Sequence, residues 1–260
     1  SIISGFNNSN EAYIATRDEN ALKLSFYKID KYIQNLLPSL GSHSLSHVFS
    51  KSPLLLIEGD DDELVWQSAI RKSVKNINFH IVNTGSKDEM KKYEKLIKDI
   101  GGKLFDSPTV YEIRDRDGSI GNLSDIEFIR RTYLDCHEIE NLILANEVLL
   151  HLGYTSYQDA LNKIKLEYTT CRLLGTAKHS SNCKICKVIN DLINNSFDRK
   201  TADLKGSENE IVRILKSDNR TPWEVLVGNE IGKNISNRHT LMNTEGSIYQ
   251  MLGNKIAGWL

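Results

Sequence analysis

The chain has 260 residues, 40% of them hydrophobic and 26% charged, with a formal net charge of −1. That length can bury a proper core in one domain with additions or in two, and the near-zero charge excludes a global polyanion-binding field, so any nucleic-acid surface must be a local patch. No apolar run is long enough to cross a membrane, no basic-then-apolar leader opens the sequence, and the four cysteines sit late rather than spread as staples, so a reducing, cytoplasmic setting is expected.

Residues 1–50 read as an N-terminal attachment. Ala12–Thr16 and Leu22–Tyr27 have the character of two short strands with Arg17–Asn20 as their turn, a hairpin suited to covering a sheet edge. His43 and His47 stand four apart, but Gly41 and the surrounding serines make this stretch a linker, and both read as exposed loop residues. After Pro53 comes Leu54-Leu55-Leu56-Ile57, too short an apolar run for a helix and suited to a strand buried on both faces. Gly59 permits a sharp exit into a helix over Asp60–Val74, which leaves Glu58 at the carboxyl end of the strand, where open α/β sheets place their chemistry.

Phe79–Asn83 is the next short strand. From Lys87 to Ile100, the residues Met90, Tyr93, Leu96, Ile97 and Ile100 recur at helical spacing, and Gly101-Gly102 is expected to stop that helix. Thr109–Arg114 forms a further strand and runs directly into Asp115-Arg116-Asp117-Gly118. Strand, helix, strand, helix, strand implies a parallel sheet with right-handed crossovers. A helix is expected over Cys136–Leu150, with Ile139, Leu142, Ile143 and Leu149 in the core and His137, Glu140 and Asn141 on an adjacent face. Beyond Gly153 the pattern is mostly helical, with loops at Gly175–Cys183 and Asn194–Gly206 and a helix start at Thr221-Pro222-Trp223-Glu224. The fold class is therefore α/β: a parallel sheet flanked by helices in a core over 51–153, and a mostly helical part over 154–260 that completes it.

The acids at the strand ends carry the chemistry. In an extended segment Asp115 and Asp117 point the same way, and with Glu58 they place three carboxylates at two strand ends, a site for a hard cation. Magnesium prefers oxygen ligands and keeps several waters, so a few well-placed acids suffice; crowded without a cation, the same acids would repel and some would hold their protons. Plainer readings stand beside this one. The acids Asp60–Glu63 suit a helix start, Asp115–Gly118 suits a turn, and Glu138 and Glu140 could be surface charges.

The pattern strand-Glu58-Gly59-x-x-Asp62, then strand-Asp115-x-Asp117, resembles the Toprim domain of topoisomerases, primases and OLD-family (overcoming lysogenization defect) nucleases. His137-Glu138-Ile139-Glu140-Asn141-Leu142 is similar to the Glu-hydrophobic-Glu-Asn element of OLD-like nucleases of phage defence, so the resemblance spans Pro53 to Ala145. It implies a Toprim-like sheet and a magnesium- or manganese-dependent endonuclease. Asp115 and Asp117 would hold the metal, Glu58 would serve as ligand or base, Asp62 would match the acid four residues on, and Glu140 with Glu138 would complete a second position. OLD-like nucleases carry a Gly-Lys whose lysine lies near the scissile phosphate. Here Asn229 follows Gly228, and Lys233, after Gly232, is the candidate substitute. The two N-terminal strands resemble the last strands of an ABC-type ATPase domain, which implies an ATPase domain or subunit as partner. No Gly-x-x-x-x-Gly-Lys loop is present, so ATP hydrolysis by the chain itself is not expected.

The expected function is cleavage of DNA, or of RNA such as tRNA, as the effector of an ATPase-coupled antiviral defence system, with self-association into a homo-oligomer left open. The alternative is a non-catalytic Toprim-like module that binds an ATPase partner or nucleic acid. A structural zinc site is a separate expectation. Cys171, His179, Cys183 and Cys186 fall within sixteen residues, and the two-residue gap in Cys183-Lys184-Ile185-Cys186 lets adjacent thiolates share one ion. The other reading packs Cys171 as a small apolar residue and leaves the rest exposed.

Overall fold

A computed structural model describes residues 12–17, 24–29, 53–73, 77–104, 110–173, 184–216 and 221–260. Near the N-terminus, β1 (Ala12–Arg17) and β2 (Leu24–Ile29) form an antiparallel pair with Ala12 opposite Ile29 and Arg17 opposite Leu24. The central sheet contains β3 (Leu54–Ile57), β4 (His80–Asn83), β5 (Val110–Arg114) and β6 (Ile129–Tyr133) in the order β4-β3-β5-β6, all parallel. Leu54 stands opposite both His80 and Val110, and all four residues of β3 are buried, as their unbroken apolar run requires. The architecture is α/β with a parallel sheet flanked by helices and a mostly helical C-terminal part, as expected.

The chain falls into two compact units whose segments alternate along the sequence. The first draws its described residues from Ser1–Glu58, Asn78–Glu112 and Ser124–Arg131. Its core joins Leu54, Leu56, Val82, Val110 and Ile129 of the strands to Met90 and Ile97, with Tyr93, Ile126 and Phe128 packed against them. Met90, Tyr93 and Ile97 lie on α2 (Lys87–Leu104), which continues through Gly101-Gly102 instead of stopping there. Glycine in a helical conformation costs about 1 kcal/mol relative to alanine but ends a helix only where the chain turns left-handed. The edge strand β6 is a further departure from the sequence expectation. Its arginines break the apolar alternation: Arg130 pairs with Asp125 at 2.9 Å and Arg131 with Glu94 at 2.8 Å, while Ile129 is buried. Charged side chains on an edge are a common guard against further strand pairing.

The second unit comprises Gly59–Ile77, Ile113–Leu123 and Thr132–Leu260. Here α1 (Asp60–Lys72) packs on α7 (Trp223–Lys233) at very short range. A Cβ at Gly228 would lie 2.2 Å from the Val65 carbonyl oxygen, and one at Gly232 would lie 2.4 Å from that of Ala69. The spacing Gly228-x-x-x-Gly232 thus opens one face of α7 to the backbone of α1. Fully buried Trp66, Trp223 and Tyr249 fill the surroundings, with the Tyr249 hydroxyl donating to the Ile231 carbonyl at 2.7 Å.

The segment Cys136–Leu150 is not one helix. It forms a 3-10 helix over Ile139–Leu144, an extended break at Ala145 (φ −69°, ψ 147°) and a short α3 (Asn146–His151). The cause lies at its start. The Cys136 and His137 N–H groups donate to Met251 O (3.0 Å) and Lys200 O (2.6 Å), which keeps them out of a helical ladder. The remaining helices are α4 (Tyr157–Leu173), α5 (Lys184–Asn194), α6 (Glu208–Leu215), a 3-10 turn over Ile235–Asn237, and short α8 (Arg238–Leu241), α9 (Ile248–Leu252) and α10 (Asn254–Trp259). Among the described residues no helix is long and apolar enough to cross a membrane.

Candidate metal centre

The centre is built within the second unit from three segments. The first leaves β5 at Asp115. The Arg116 and Asp117 N–H groups both donate to the His137 carbonyl (2.9 and 3.1 Å), and the backbone turns left-handed at Asp117 (φ 42°) and Gly118 (φ 73°). Aspartate tolerates that region better than most residues and glycine enters it freely. The turn corrects the expected geometry: extended alternation ends before Asp117, so Asp115 is buried whereas Asp117 is exposed.

The second segment is the start of the 3-10 helix. Glu138 occupies its cap position in extended backbone (φ −152°), and the Asp115 carboxylate accepts the Ile139 N–H at 3.3 Å. The third segment is the loop between α5 and α6, which Asn141 fastens in place. This fully buried amide accepts the Glu138 N–H through Oδ1 (3.1 Å) and donates through Nδ2 to Arg199 O and Ala202 O, both at 2.8 Å. The Leu204 N–H then donates to Glu138 Oε1 at 2.8 Å.

Asp117, His137 and Glu138 each present a ligand atom, and these atoms lie within 4.8 Å of one another. His137 Nδ1 is 3.9 Å from Glu138 Oε2. Burial, with Asp203 and Asp115 nearby, pushes Glu138 up to about 7 although the Leu204 N–H works the other way. Burial pushes Glu140 further, to about 8, with Glu138 and Asp115 adding to it. Glu140 is 4% exposed, and its Oε2 is buried with no hydrogen-bond partner among the described residues. On the rim stands Lys205. Burial lowers the pKa of its ammonium, but Glu140, Asp115, Glu138 and Asp117 together hold it above the usual lysine range.

Such a set fits a divalent cation. Two carboxylates and an imidazole supply ligand atoms, and Asp115 and Glu140 add negative charge that a metal would balance. Oxygen donors suit magnesium, while the imidazole adds a preference for manganese and later metals.

No protein-family model, curated protein or solved structure matches this chain.

Of the acids singled out from sequence, Asp115, Asp117, Glu138 and Glu140 come together. Asp62 lies in the first turn of α1, where its buried carboxylate accepts the Gly59 N–H at 3.2 Å, the capping arrangement its place at a helix start allows. Glu58 follows β3 directly and is half-buried in the first unit. Lys233 sits in the last turn of α7, paired with Glu230 at 3.3 Å, and Glu230 also bonds His151 Nδ1 at 2.9 Å. Sequence reasoning named neither Lys205 nor a ligand role for His137. His137 opens the stretch His137–Leu142 singled out for its acids, but Lys205 sits in an aperiodic loop with no local signal. Of the zinc candidates, Cys171 falls in α4 and half-buried Cys186 in α5; His179 and Cys183 lie outside the described residues.

Proposed function

We propose that this chain is a metal-dependent endonuclease of the OLD-like Toprim type, hydrolysing phosphodiester bonds in DNA or in RNA such as tRNA. The observation that carries the reading is the buried, unbonded Oε2 of Glu140 beside Glu138 and Asp115. Burying mutually repelling carboxylates costs free energy, and a cation in their midst offsets it. Asp117, His137 and Glu138 would hold magnesium or manganese, with Asp115 and Glu140 completing the charge. When bound, such an ion supplies activation of water and stabilisation of the leaving oxygen. Asp115 is oriented for this by the Ile139 N–H, and Glu138 by the Leu204 N–H. The β1–β2 pair, similar to the end of an ABC-type ATPase domain, supports an ATPase partner and an effector role in antiviral defence.

The test is cleavage of plasmid, linear DNA and total tRNA by the purified chain with magnesium or manganese, alone and with any ABC-type ATPase that co-purifies with it. Divalent-dependent cleavage that disappears in Asp115→Asn and Asp117→Asn is the expected result. Cleavage that survives both substitutions overturns the assignment.

A further inference from the structure

We infer that Lys205, with Lys187 beside it, forms the contact for the phosphate backbone flanking the scissile bond, so that the centre acts on polynucleotides in preference to isolated phosphodiesters. The inference rests on the nuclease reading above. Its structural basis is the loop that carries Lys205.

That loop is fixed from both ends. Asn141 holds Arg199 O and Ala202 O, and the Arg199 guanidinium lies 4.7 Å over the Tyr157 ring while donating to Leu144 O and Asn146 Oδ1 at 2.8 Å. Next to Lys205 itself, the Leu204 N–H is on the Glu138 carboxylate and the Lys205 N–H is on Asp203 Oδ1 at 3.2 Å. The Lys187 ammonium donates to the Lys205 carbonyl at 2.7 Å, which brings the second positive charge alongside. Backbone position is thus determined, whereas both lysine side chains are exposed.

Lys205 directly follows Leu204, whose N–H is bonded to Glu138, so its exposed side chain leaves the loop beside the acids of the centre, whose charges hold its pKa up. A cation held near carboxylates keeps its charge for an anionic ligand. Once a divalent ion balances the acids of the centre, Lys205, with Lys187 alongside, is no longer drawn to them and offers positive charge on the loop next to the ion. A nucleic-acid strand repeats its negative charge at every nucleotide, so a chain with one phosphate at the centre has others for the rim. A lone diester has none.

The test compares wild type with Lys205→Ala, Lys187→Ala, the double variant and Lys205→Arg, all at exposed positions and each checked for wild-type thermal melting. A fluorescent oligonucleotide is titrated with calcium in place of magnesium over a range of salt. Hydrolysis of the oligonucleotide and of bis(p-nitrophenyl) phosphate is measured with manganese. The expected result is weaker oligonucleotide binding, with the slope of log affinity against log salt falling by about 0.7–0.9 per lysine removed. Lys205→Arg should keep the slope, and in the alanine variants hydrolysis of the oligonucleotide should fall by a larger factor than hydrolysis of the small diester. Unchanged affinity and slope in the double variant, or equal loss on both substrates, overturns the inference. Manganese binding to wild type, followed by its paramagnetic signal, separates the two levels: no binding overturns the nuclease reading itself, whereas binding with an unaltered salt slope overturns only the role of the lysines.

Discussion

Replacing Glu140 by glutamine should stabilise the metal-free protein while removing its activity. Burial and the neighbouring Glu138 and Asp115 raise Glu140 from its usual 4.5 to about 8. At pH 7 the unfolded chain would ionise this group and the folded chain would keep it protonated, a difference of about 2.5 pH units, or about 3 kcal/mol against folding. Glutamine removes that term. Its buried amide then lacks an acceptor where Oε2 now has no partner, which costs about 1 kcal/mol and leaves a net gain of about 2 kcal/mol. The sign with pH follows from the raised pKa. Stability from this group is fully present below 4.5 and is lost as pH rises through about 8, so the wild type should weaken over that interval and the variant much less. Chelator-treated wild type and Glu140→Gln would be unfolded with urea at pH 5, 7 and 8. The gap should be smallest at pH 5 and widest at pH 8, and manganese should close it by stabilising the wild type alone. A variant that is less stable than wild type at pH 8, or a gap independent of pH, would refute the reasoning.

Asp117→Asn should keep the fold, because asparagine tolerates the left-handed backbone at φ 42°, and should lose manganese affinity and cleavage; titration calorimetry and melting curves check the two halves separately. Asn141→Ala strips the partners from the Glu138 N–H, Arg199 O and Ala202 O, so urea unfolding should show a loss of about 2–4 kcal/mol, with faster amide exchange over residues 199–204. Gly228→Ala and Gly232→Ala each gain about 1 kcal/mol of helix propensity but drive a Cβ to within 2.2 and 2.4 Å of an α1 carbonyl oxygen, so each should destabilise by roughly 1–2 kcal/mol net. Unchanged or improved stability would mean that the helices separate without cost.

The sequence alone determined the parts whose signals are local. Leu54–Ile57 could only be a short buried strand, the acids after Gly59 suited a helix start, and Asp115-Arg116-Asp117-Gly118 marked the chain's departure from β5. These features sufficed for the α/β class and for most of the acids of the centre. Tertiary structure decided what depends on partners distant in the chain. Cys136–Leu150 has the apolar spacing of one helix, yet hydrogen bonds to Lys200 and Met251 hold its first residues extended and turn Glu138 in among the other acids. β6 hides its strand character behind arginines that find acids elsewhere. Helical spacing suggested Lys233, but its charge goes to Glu230, while Lys205 reaches the acids through a loop tied down by Asn141 and Glu138, more than 55 residues away in sequence. Periodicity records which face of an element is apolar; it carries no record of which loop a buried amide will fasten, because that choice is made by hydrogen bonds that exist only once the chain has closed on itself.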